Sequence, residues 1–169
     1  NRGAVTGGKQ LDGFVHLICD LLTLNGVPDR CIFANSDLEL PGYFRPNKKW
    51  DLLVVDRDEL VIAIEFKSQV GPSFGNNFNN RTEEAMGTAL DIWTAYREGV
   101  FGSQSAPWLG YFMMLEDCGK SNEPVRVRSP HFDVLKEFGD ASYKKRYEIF
   151  CEKLLLERQY SAACFAATS

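Results

Sequence analysis

The chain has 169 residues, of which 44% are hydrophobic and 25% are charged, and this composition excludes an intrinsically disordered protein. Its 19 basic and 23 acidic side chains give a net charge of −4, which by itself argues against a nucleic-acid-binding protein with a basic surface. No apolar stretch approaches the roughly 18–20 residues that span a membrane. The length predicts a single domain over residues 1–169. The lack of a long apolar stretch predicts no membrane partner.

The five cysteines and two histidines predict neither a zinc site nor a disulfide framework. The cysteines are odd in number and never spaced as C-x-x-C, so the ligand clusters of a structural zinc site are absent. We expect reduced, mostly buried thiols in a cytoplasmic protein. The scarcity of histidine also disfavours a hydrolase that uses a Ser-His-Asp or Cys-His arrangement.

Apolar residues at helical spacing predict a first helix over residues 10–24, which ends at Asn25-Gly26. The side chains expected to form its buried face are Leu11, Phe14, Val15, Ile18, Leu21 and Leu22. Residues 1–8, with three glycines, are predicted to form a loop, and residues 31–34 form a short strand candidate.

Two apolar runs, residues 50–55 and 60–66, predict a β-hairpin that is buried on much of both faces. Alternation along the second strand places on one face Leu60, Ile62, Ile64 and Phe66. The opposite face changes from apolar to polar along the strand and carries Val61, Ala63, Glu65, Lys67 and Gln69.

Beyond the hairpin, residues 71–79 are predicted to form an irregular loop, and Asn80 is expected to cap a second helix with Glu83 completing a capping box. A strand, a short helix and a long helix are then predicted over residues 108–115, 131–138 and 143–160. The order α-β-β-β-α-β, followed by two helices, predicts an α/β (α+β) domain. Its mixed sheet is an antiparallel meander joined by a strand that is reached through a crossover helix.

Asp51 on the first hairpin strand faces Glu65 on the second strand in only one register. A loop with an odd number of residues, such as 57–59, pairs Asp56 with Leu60 and places Asp51 opposite Glu65, with Cβ atoms about 4.5–5.5 Å apart. A loop with an even number puts the two carboxylates on opposite faces of the sheet. A site that uses both carboxylates therefore predicts an odd loop or a β-bulge.

Two carboxylates that face each other destabilise a strand pair unless a cation compensates their charge. Mg²⁺ suits such a pair, because it binds one or two carboxylates together with water and phosphate oxygens. Lys67 projects to the same side as Glu65, where it can stabilise charge that develops at a phosphate. The pattern Asp51 … Glu65-x-Lys67 also occurs at ordinary strand ends with solvated side chains, but the surrounding hairpin and helices favour catalysis.

The α-β-β-β-α-β order with Asp51 … Glu65-x-Lys67 resembles the PD-(D/E)XK nuclease superfamily, although Trp50 stands where the motif has proline. Residues 38–54 and 64–85 closely resemble the XhoI-type family of type II restriction endonucleases, and the similarity runs over essentially the whole chain. Members of that family are usually longer. Because the chain also opens at Asn1 rather than Met, we expect it to be a piece of a longer protein.

The resemblance implies a bacterial enzyme that cleaves both strands of DNA with Mg²⁺ at a short palindrome, CTCGAG in the best-known members. The ends would be 5′-phosphate and 3′-hydroxyl. A palindromic site matches a two-fold homodimer, and a restriction enzyme implies a companion DNA methyltransferase. The resemblance also implies that Asp51, Glu65 and the main-chain carbonyl of Phe66 bind the metal ion, and that Lys67 orients and polarises the attacking water.

We expect DNA-contacting residues in the two segments that flank the catalytic strand. The basic cluster Arg45, Lys48 and Lys49 suits phosphate contacts, with a solvated loop as the alternative. Side chains that can bind adenine or guanine, but that also occur in turns, are Asn76, Asn77, Asn79, Asn80 and Arg81.

Three further side chains are candidates for supporting roles. Gln69 shares the catalytic face and is expected to provide a hydrogen bond, and Glu39 or Asp12 would offer an extra contact to metal or water. Two other functions stay open. A structure-selective or repair nuclease of the same fold would nick branched or random DNA, and a non-catalytic DNA-binding module would bind DNA without cutting it.

Overall fold

The computed structural model describes residues 11–169, so the predictions for residues 1–10 lie outside the described part. In chain order the elements are helix α1 (Asp12–Leu24), strands β1 (Ile32–Phe33), β2 (Glu39–Pro41), β3 (Asn47–Lys49), β4 (Leu52–Asp56) and β5 (Glu59–Gln69), helix α2 (Phe74–Arg97), strand β6 (Trp108–Glu116), helices α3 (Gly119–Asn122) and α4 (Tyr143–Leu156), and strand β7 (Ala162–Thr168). Between residues 11 and 169, no helix is both long and apolar enough to cross a lipid bilayer.

Five strands form one mixed sheet in the order β1-β4-β5-β6-β7, and β2 and β3 form a separate two-stranded ribbon. Strands β1, β4 and β5 are an antiparallel meander, whereas β5, β6 and β7 are parallel neighbours. Parallel neighbours require crossover connections, which α2 and α4 provide. The predicted α/β (α+β) class and the α-β-β-β-α-β order of the sheet and its helices are therefore confirmed.

The sheet separates two hydrophobic clusters. The larger cluster lies between the sheet and helices α2 and α4, and it includes Leu53, Ala89 and Tyr147. On the other face, α1 packs half-buried side chains against a smaller cluster that includes Leu52 and Ile64. Strands β4 and β5 thus contribute to both clusters, so they are buried on both faces as their continuous apolar sequences predict.

The end of the chain differs from the sequence prediction. Helix α4 ends at Leu156 rather than at residue 160, and the strand β7 follows it. Alanine-rich sequence has little strand propensity, so β7 forms because it pairs with β6 rather than because of its composition. The predicted helix over residues 131–138 is reduced to a 3₁₀ turn at Lys136–Phe138.

Helix α2 begins at Phe74, so the predictions of a loop over residues 71–79 and of a cap at Asn80 are wrong. Glycine and asparagine are poor helix formers, which is why the segment resembles a loop in sequence. Tertiary packing overrides this preference, because the buried ring of Phe74 stacks on Tyr143 with centroids 5.7 Å apart. A Cβ atom at Gly75 would lie 2.9 Å from the Tyr143 hydroxyl, so glycine permits the helix to approach.

The β4–β5 hairpin turns through two residues, Arg57 and Asp58, which have φ values of 50° and 66°. Two consecutive positive φ values match a type I′ turn, whose twist suits a two-residue hairpin. Asp56 pairs with Glu59 rather than with Leu60, so the predicted three-residue loop is wrong.

A β-bulge changes the register three residues after the turn. The prediction of a bulge, made as the alternative to an odd loop, is therefore confirmed. Val55 pairs with Leu60 but Val54 pairs with Ile62, which leaves Val61 as the extra residue. Because of the bulge, Leu60 lies in the larger cluster, not on the face of Ile62 as alternation predicted.

The five cysteines are all free thiols. Cys31 and Cys151 are buried, whereas Cys164 is exposed, so the expected burial holds for only part of the set. Burial raises the pKa of Cys151 to about 12, which makes this thiol unreactive at neutral pH.

Candidate active site

The three predicted catalytic side chains, Asp51, Glu65 and Lys67, line one open cleft of about 890 Å³. Leu52 pairs with Ile64, and the next residues outward are Asp51, immediately before β4, and Glu65 on β5. The backbone N–H of Phe66 donates to Asp51 Oδ2 at 2.8 Å, which fixes this carboxylate beside β5. The bulge therefore brings both carboxylates to one side of the sheet.

Glu65 is only 3% exposed, and each of its carboxylate oxygens has a lysine partner. Lys67 Nζ pairs with Oε1 and Lys48 Nζ pairs with Oε2. A buried carboxylate without such partners would be costly, so the two amines offset the cost of burying Glu65 in the cleft. Lys48 Nζ also donates to the carbonyl oxygen of Lys49 at 2.9 Å and lies 4.5 Å from the centroid of the Trp50 ring.

Asp51 is less well compensated than Glu65. Burial raises the pKa of Asp51, and the negative charge of Glu65 raises it further. The Phe66 amide and the two lysines oppose this effect without cancelling it. Burial is the larger cause and the charge of Glu65 the second, and a cation bound beside both carboxylates would oppose the two effects.

The donor set suits a hard cation that keeps part of its water shell. Within residues 11–169, no group of three or more His, Cys, Asp and Glu side chains could hold a metal ion. Asp51 and Glu65 offer two carboxylates, and Phe66, which follows Glu65 on β5, offers a main-chain carbonyl. Mg²⁺ is commonly bound through one or two carboxylates, with water and substrate phosphate completing its shell, so these residues fit it.

Four basic residues predicted to contact DNA line the same cleft, and they are Arg45, Lys48, Lys49 and Arg81. Two of them are tied to acidic neighbours: Arg45 Nε lies 2.7 Å from Asp91 Oδ2, and Arg81 Nη1 lies 3.1 Å from Glu84 Oε2. Lys49 is exposed, whereas Lys48 points inward to Glu65. Lys48 therefore belongs to the carboxylate cluster rather than to a solvated basic loop.

The predicted DNA-contacting asparagines lie in the first turns of α2 rather than in a loop. Asn76, Asn79 and Asn80 are exposed, and Asn77 is half-buried. Asn80 is one helical turn before Glu84, which lines the cleft, so the asparagine face continues the cleft wall toward the amino end of the helix. The asparagines themselves do not line the cleft.

Gln69 shares the face of Glu65 and Lys67 but lies in the core rather than in the cleft. It is buried, and the Tyr147 hydroxyl donates to its Oε1 atom. Its Nε2 atom is buried without a hydrogen-bond partner in the described part of the chain. Gln69 thus links β5 to α4 behind the catalytic side chains.

The two additional acidic candidates lie apart from the main cleft. Glu39 is exposed and pairs with Lys49 across the β2–β3 ribbon, and it does not line the cleft. Asp12 lines a smaller cavity of about 370 Å³ together with His16 and Asp51. Asp12 therefore approaches the candidate site from the side of α1.

Two features of the site were not predicted from the sequence: the contribution of Asp91 and the inward orientation of Lys48. Asp91 is a buried carboxylate on the apolar face of α2, between Thr88 and Ala95. An acidic residue among apolar positions of a helix indicates a buried polar contact, and this signal was available in the sequence. For Lys48 the available signal was strand alternation, because adjacent residues of a strand point to opposite faces. That signal required β3 to be identified as a strand.

An α+β domain whose mixed sheet carries two carboxylates and a lysine on one strand pair defines a fold of the restriction-endonuclease kind. A family model described as "Restriction endonuclease XhoI" matches residues 1–169. The chain belongs to this family of restriction endonucleases, and it is accordingly a DNA-cleaving hydrolase. No solved structure gives a significant match to it.

Three curated relatives are type II restriction enzymes. BstVI of Geobacillus stearothermophilus is 57% identical over an alignment of 169 residues that covers 97% of this chain and 75% of the relative. XhoI of Xanthomonas vasicola is 53% identical over 158 residues, which cover 92% of this chain and 64% of the relative. AbrI of Azospirillum brasilense is 57% identical over 125 residues, which cover 73% of this chain and 56% of the relative. The chain therefore spans only part of each relative.

Proposed function

We propose that this chain is the catalytic part of an enzyme that uses Mg²⁺ to cut both strands of DNA at a short palindrome, CTCGAG, leaving 5′-phosphate and 3′-hydroxyl ends. The observation that carries the proposal is the register of the β4–β5 hairpin, which brings Asp51 and Glu65 together beside Lys67 in a cleft with a basic wall. The family and its named relatives support the restriction activity.

In this proposal Asp51, Glu65 and the main-chain carbonyl of Phe66 hold the metal ion. A bound Mg²⁺ supplies positive charge that stabilises the phosphorane-like transition state and lowers the pKa of a coordinated water. Lys67 presents its amine at the cleft surface, where it orients the attacking water and stabilises the charge that develops on the phosphate. Glu65 keeps this amine in position through their ion pair.

Lys48 has a different task from the other basic residues. Its amine compensates the charge of Glu65 from the side of the β2–β3 ribbon and so fixes the orientation of that carboxylate. The ribbon contributes Lys48 while β5 contributes Lys67, and each amine pairs with a different carboxylate oxygen of Glu65.

DNA binding is assigned to the cleft wall and to the amino end of α2. Arg45, Lys49 and Arg81 line the cleft and in this proposal contact phosphates, which positions the duplex. The exposed asparagines of α2 are candidates for base contacts, because an amide can pair bidentately with adenine. A palindromic target fits a homodimer in which each subunit cuts one strand, in the cytoplasm of a cell whose companion methyltransferase protects the host sites.

Digestion of a fully sequenced plasmid with Mg²⁺, followed by mapping of the ends, tests the proposal. We expect discrete fragments that end at CTCGAG, carry 5′-phosphates and can be ligated. Random nicking, or preference for branched DNA, would instead indicate a structure-selective nuclease. A gel shift in Ca²⁺ with no cutting in Mg²⁺ would indicate a DNA-binding part that lacks activity by itself.

A further inference from the structure

The turn of the β2–β3 ribbon carries two exposed aromatic side chains, Tyr43 and Phe44, and Phe44 lies at the wall of the active-site cleft. Tyr43 is 50% exposed and Phe44 is 65% exposed, and their rings pack edge to face with centroids 5.0 Å apart. Phe44 lines the cleft together with Arg45 and Lys49. The rings pack on each other and belong to neither hydrophobic cluster, so at least half of each side chain faces solvent.

A buried carboxylate holds the backbone of this turn. Asp91 of α2 is 4% exposed, and its Oδ1 atom accepts hydrogen bonds from the backbone N–H groups of Tyr43 and Phe44, each at 2.8 Å. Its Oδ2 atom accepts from Arg45 Nε at 2.7 Å. Burial alone would raise the pKa of Asp91, but the Phe44 amide, Arg45 and the Tyr43 amide together hold it below the usual value. The carboxylate is therefore charged at neutral pH, and both of its oxygens accept hydrogen bonds from the turn.

Gly42 allows the turn to approach Asp91 this closely. A Cβ atom at this position would lie 2.6 Å from Asp91 Oδ2 and 2.8 Å from the carbonyl oxygen of Arg45. Both distances are far below van der Waals contact, so any larger residue would push the turn away from α2. The local sequence Gly42-Tyr43-Phe44-Arg45 thus combines one residue that permits the approach with three that bind Asp91.

The attachment secures the backbone while it leaves the aromatic rings exposed. If the rings served only stability, packing into a core would be expected, since burial is what makes aromatic residues stabilising. Here the buried carboxylate of Asp91 instead holds the backbone of the turn, which keeps the two rings exposed beside the catalytic cleft. The same wall carries the cations of Lys49 and Arg45, so a duplex that reaches Glu65 passes this turn.

We propose that Tyr43 and Phe44 contact the bound DNA duplex, packing against its sugars and base edges, and that Asp91 is a positioning residue that holds them there. This inference rests on the proposed function, since it takes the cleft as the place where DNA is cut. Aromatic side chains contribute to DNA binding by contacts with base methyl groups and by insertion at base steps. The continuity of the pair with the cationic cleft wall favours DNA over a second copy of the chain.

The first experiment measures binding to a duplex oligonucleotide that contains CTCGAG, by fluorescence anisotropy in Ca²⁺. We expect Phe44→Ala to weaken binding by ~10-fold, and Tyr43→Ala to weaken it as well. Phe44→Trp should retain binding, and the emission of the new indole should change when the duplex is added. Leu24→Ala, which alters an 81% exposed apolar side chain at the end of α1, is the control and should bind like the wild type.

The second experiment separates positioning from folding through a double-mutant cycle. Asp91→Asn should weaken DNA binding as Phe44→Ala does, and the double variant should lose little more, because both changes remove the same contact. Additive losses would show that Asp91 affects DNA binding independently of Phe44 and would overturn the assignment of Asp91 as its positioning residue. If Asp91→Asn does not fold, Gly42→Ala replaces it in the cycle, since it displaces the same turn.

Wild-type affinity in both aromatic variants would overturn the inference, while cleavage of CTCGAG by the wild type would leave the proposed function intact. A change in oligomeric mass with unchanged DNA affinity would assign the pair to contact with a second copy instead. Failure of the wild type to cut any DNA would count against the proposed function itself. The two failures are therefore distinguishable.

Discussion

Lys48 and Glu65 form an ion pair inside the active-site cleft, where the ribbon and the central sheet meet. The pairing sets Lys48 apart from Lys49, its exposed neighbour, although the two are identical in type and adjacent in sequence. Lys48 stabilises a buried carboxylate, whereas Lys49 is free to approach a phosphate. The two lysines should therefore fail in different ways when they are replaced.

Lys48→Met should reduce the cleavage rate by ~100-fold, because Glu65 loses the partner of one carboxylate oxygen. Lys49→Met should instead weaken DNA binding. The slope of log affinity against log salt concentration should also fall by about one, the value for one lost phosphate contact. Single-turnover cleavage and anisotropy titrations at several salt concentrations measure the two effects. Equal behaviour of the two variants in both assays would refute the assignment of Lys48 to the carboxylate cluster.

Replacement of the catalytic side chains should stop cutting while DNA binding largely survives. Asp51→Asn, Glu65→Gln and Lys67→Ala are each expected to lower the cleavage rate by at least ~100-fold, because each removes charge that acts on the metal or the phosphate. Gel shifts in Ca²⁺ and plasmid cleavage in Mg²⁺ measure binding and cutting separately. Cleavage by Glu65→Gln at a rate near that of the wild type would defeat the mechanism.

Asp51→Asn should also stabilise the metal-free protein. The pKa of Asp51 is raised by burial and by Glu65, so the folded state binds its proton more readily than the unfolded chain. Its charge therefore costs stability at pH values above the raised pKa, and the wild type should lose stability relative to the variant as pH rises. We expect a gain of about 1 kcal/mol at pH 7, or ~2–4 °C in Tm.

Thermal unfolding in a chelating buffer between pH 4 and pH 8 measures this gain. Glu59→Gln is the matched control, because Glu59 is an exposed acid in the same hairpin, and its Tm should stay within the change expected for a surface site. A lower Tm for Asp51→Asn than for the wild type across this range would contradict the charge imbalance at the site.

Deletion of Val61 should leave the active site in register. Val61 is the extra residue of the bulge, so its removal lets Leu60 and Ile62 follow each other while Val54 keeps Ile62 as its partner. We expect cleavage within ~10-fold of the wild type, because the register beyond the bulge is unchanged. Deletion of Val61 and Ile62 together shifts the strand by one residue and should abolish cleavage. Loss of activity in the single deletion, with the fold retained by circular dichroism, would argue against this account.

Asp91 should make stability depend on pH in the acidic range. Its pKa lies below the ordinary value because hydrogen bonds from Phe44, Arg45 and Tyr43 outweigh the effect of burial. The charge of Asp91 stabilises the fold at pH values above the pKa that Asp91 has in the unfolded chain. This stabilisation is lost as the pH falls through the lower pKa that Asp91 has in the folded protein. Asp91→Asn should cost ~1–3 kcal/mol at pH 7, and urea unfolding should show a smaller difference from the wild type near pH 3. A difference that is constant with pH would contradict an ionic role.

Local pattern predicted most of the central elements. The spacing of apolar residues located α1, and the continuous apolar runs located β4, β5 and β6, because these features reflect which faces are buried. Elements formed by tertiary contact were missed: the amino end of α2 depends on the stacking of Phe74 on Tyr143, and β7 depends on its pairing with β6. Both have sequences of low propensity for the structure they adopt.

By itself the sequence determined the α-β-β-β-α-β order of the central elements, the polar end of β5 and the types of side chain available for catalysis. Only the tertiary structure decided which of them meet. Asp51 reaches Glu65 because a two-residue turn and a bulge at Val61 combine to restore the register, and Lys48 joins them from a ribbon outside the sheet. Asp91 binds a turn that lies far away in the chain. Such contacts depend on how separate segments are arranged in space, which the periodicity of a single segment does not encode.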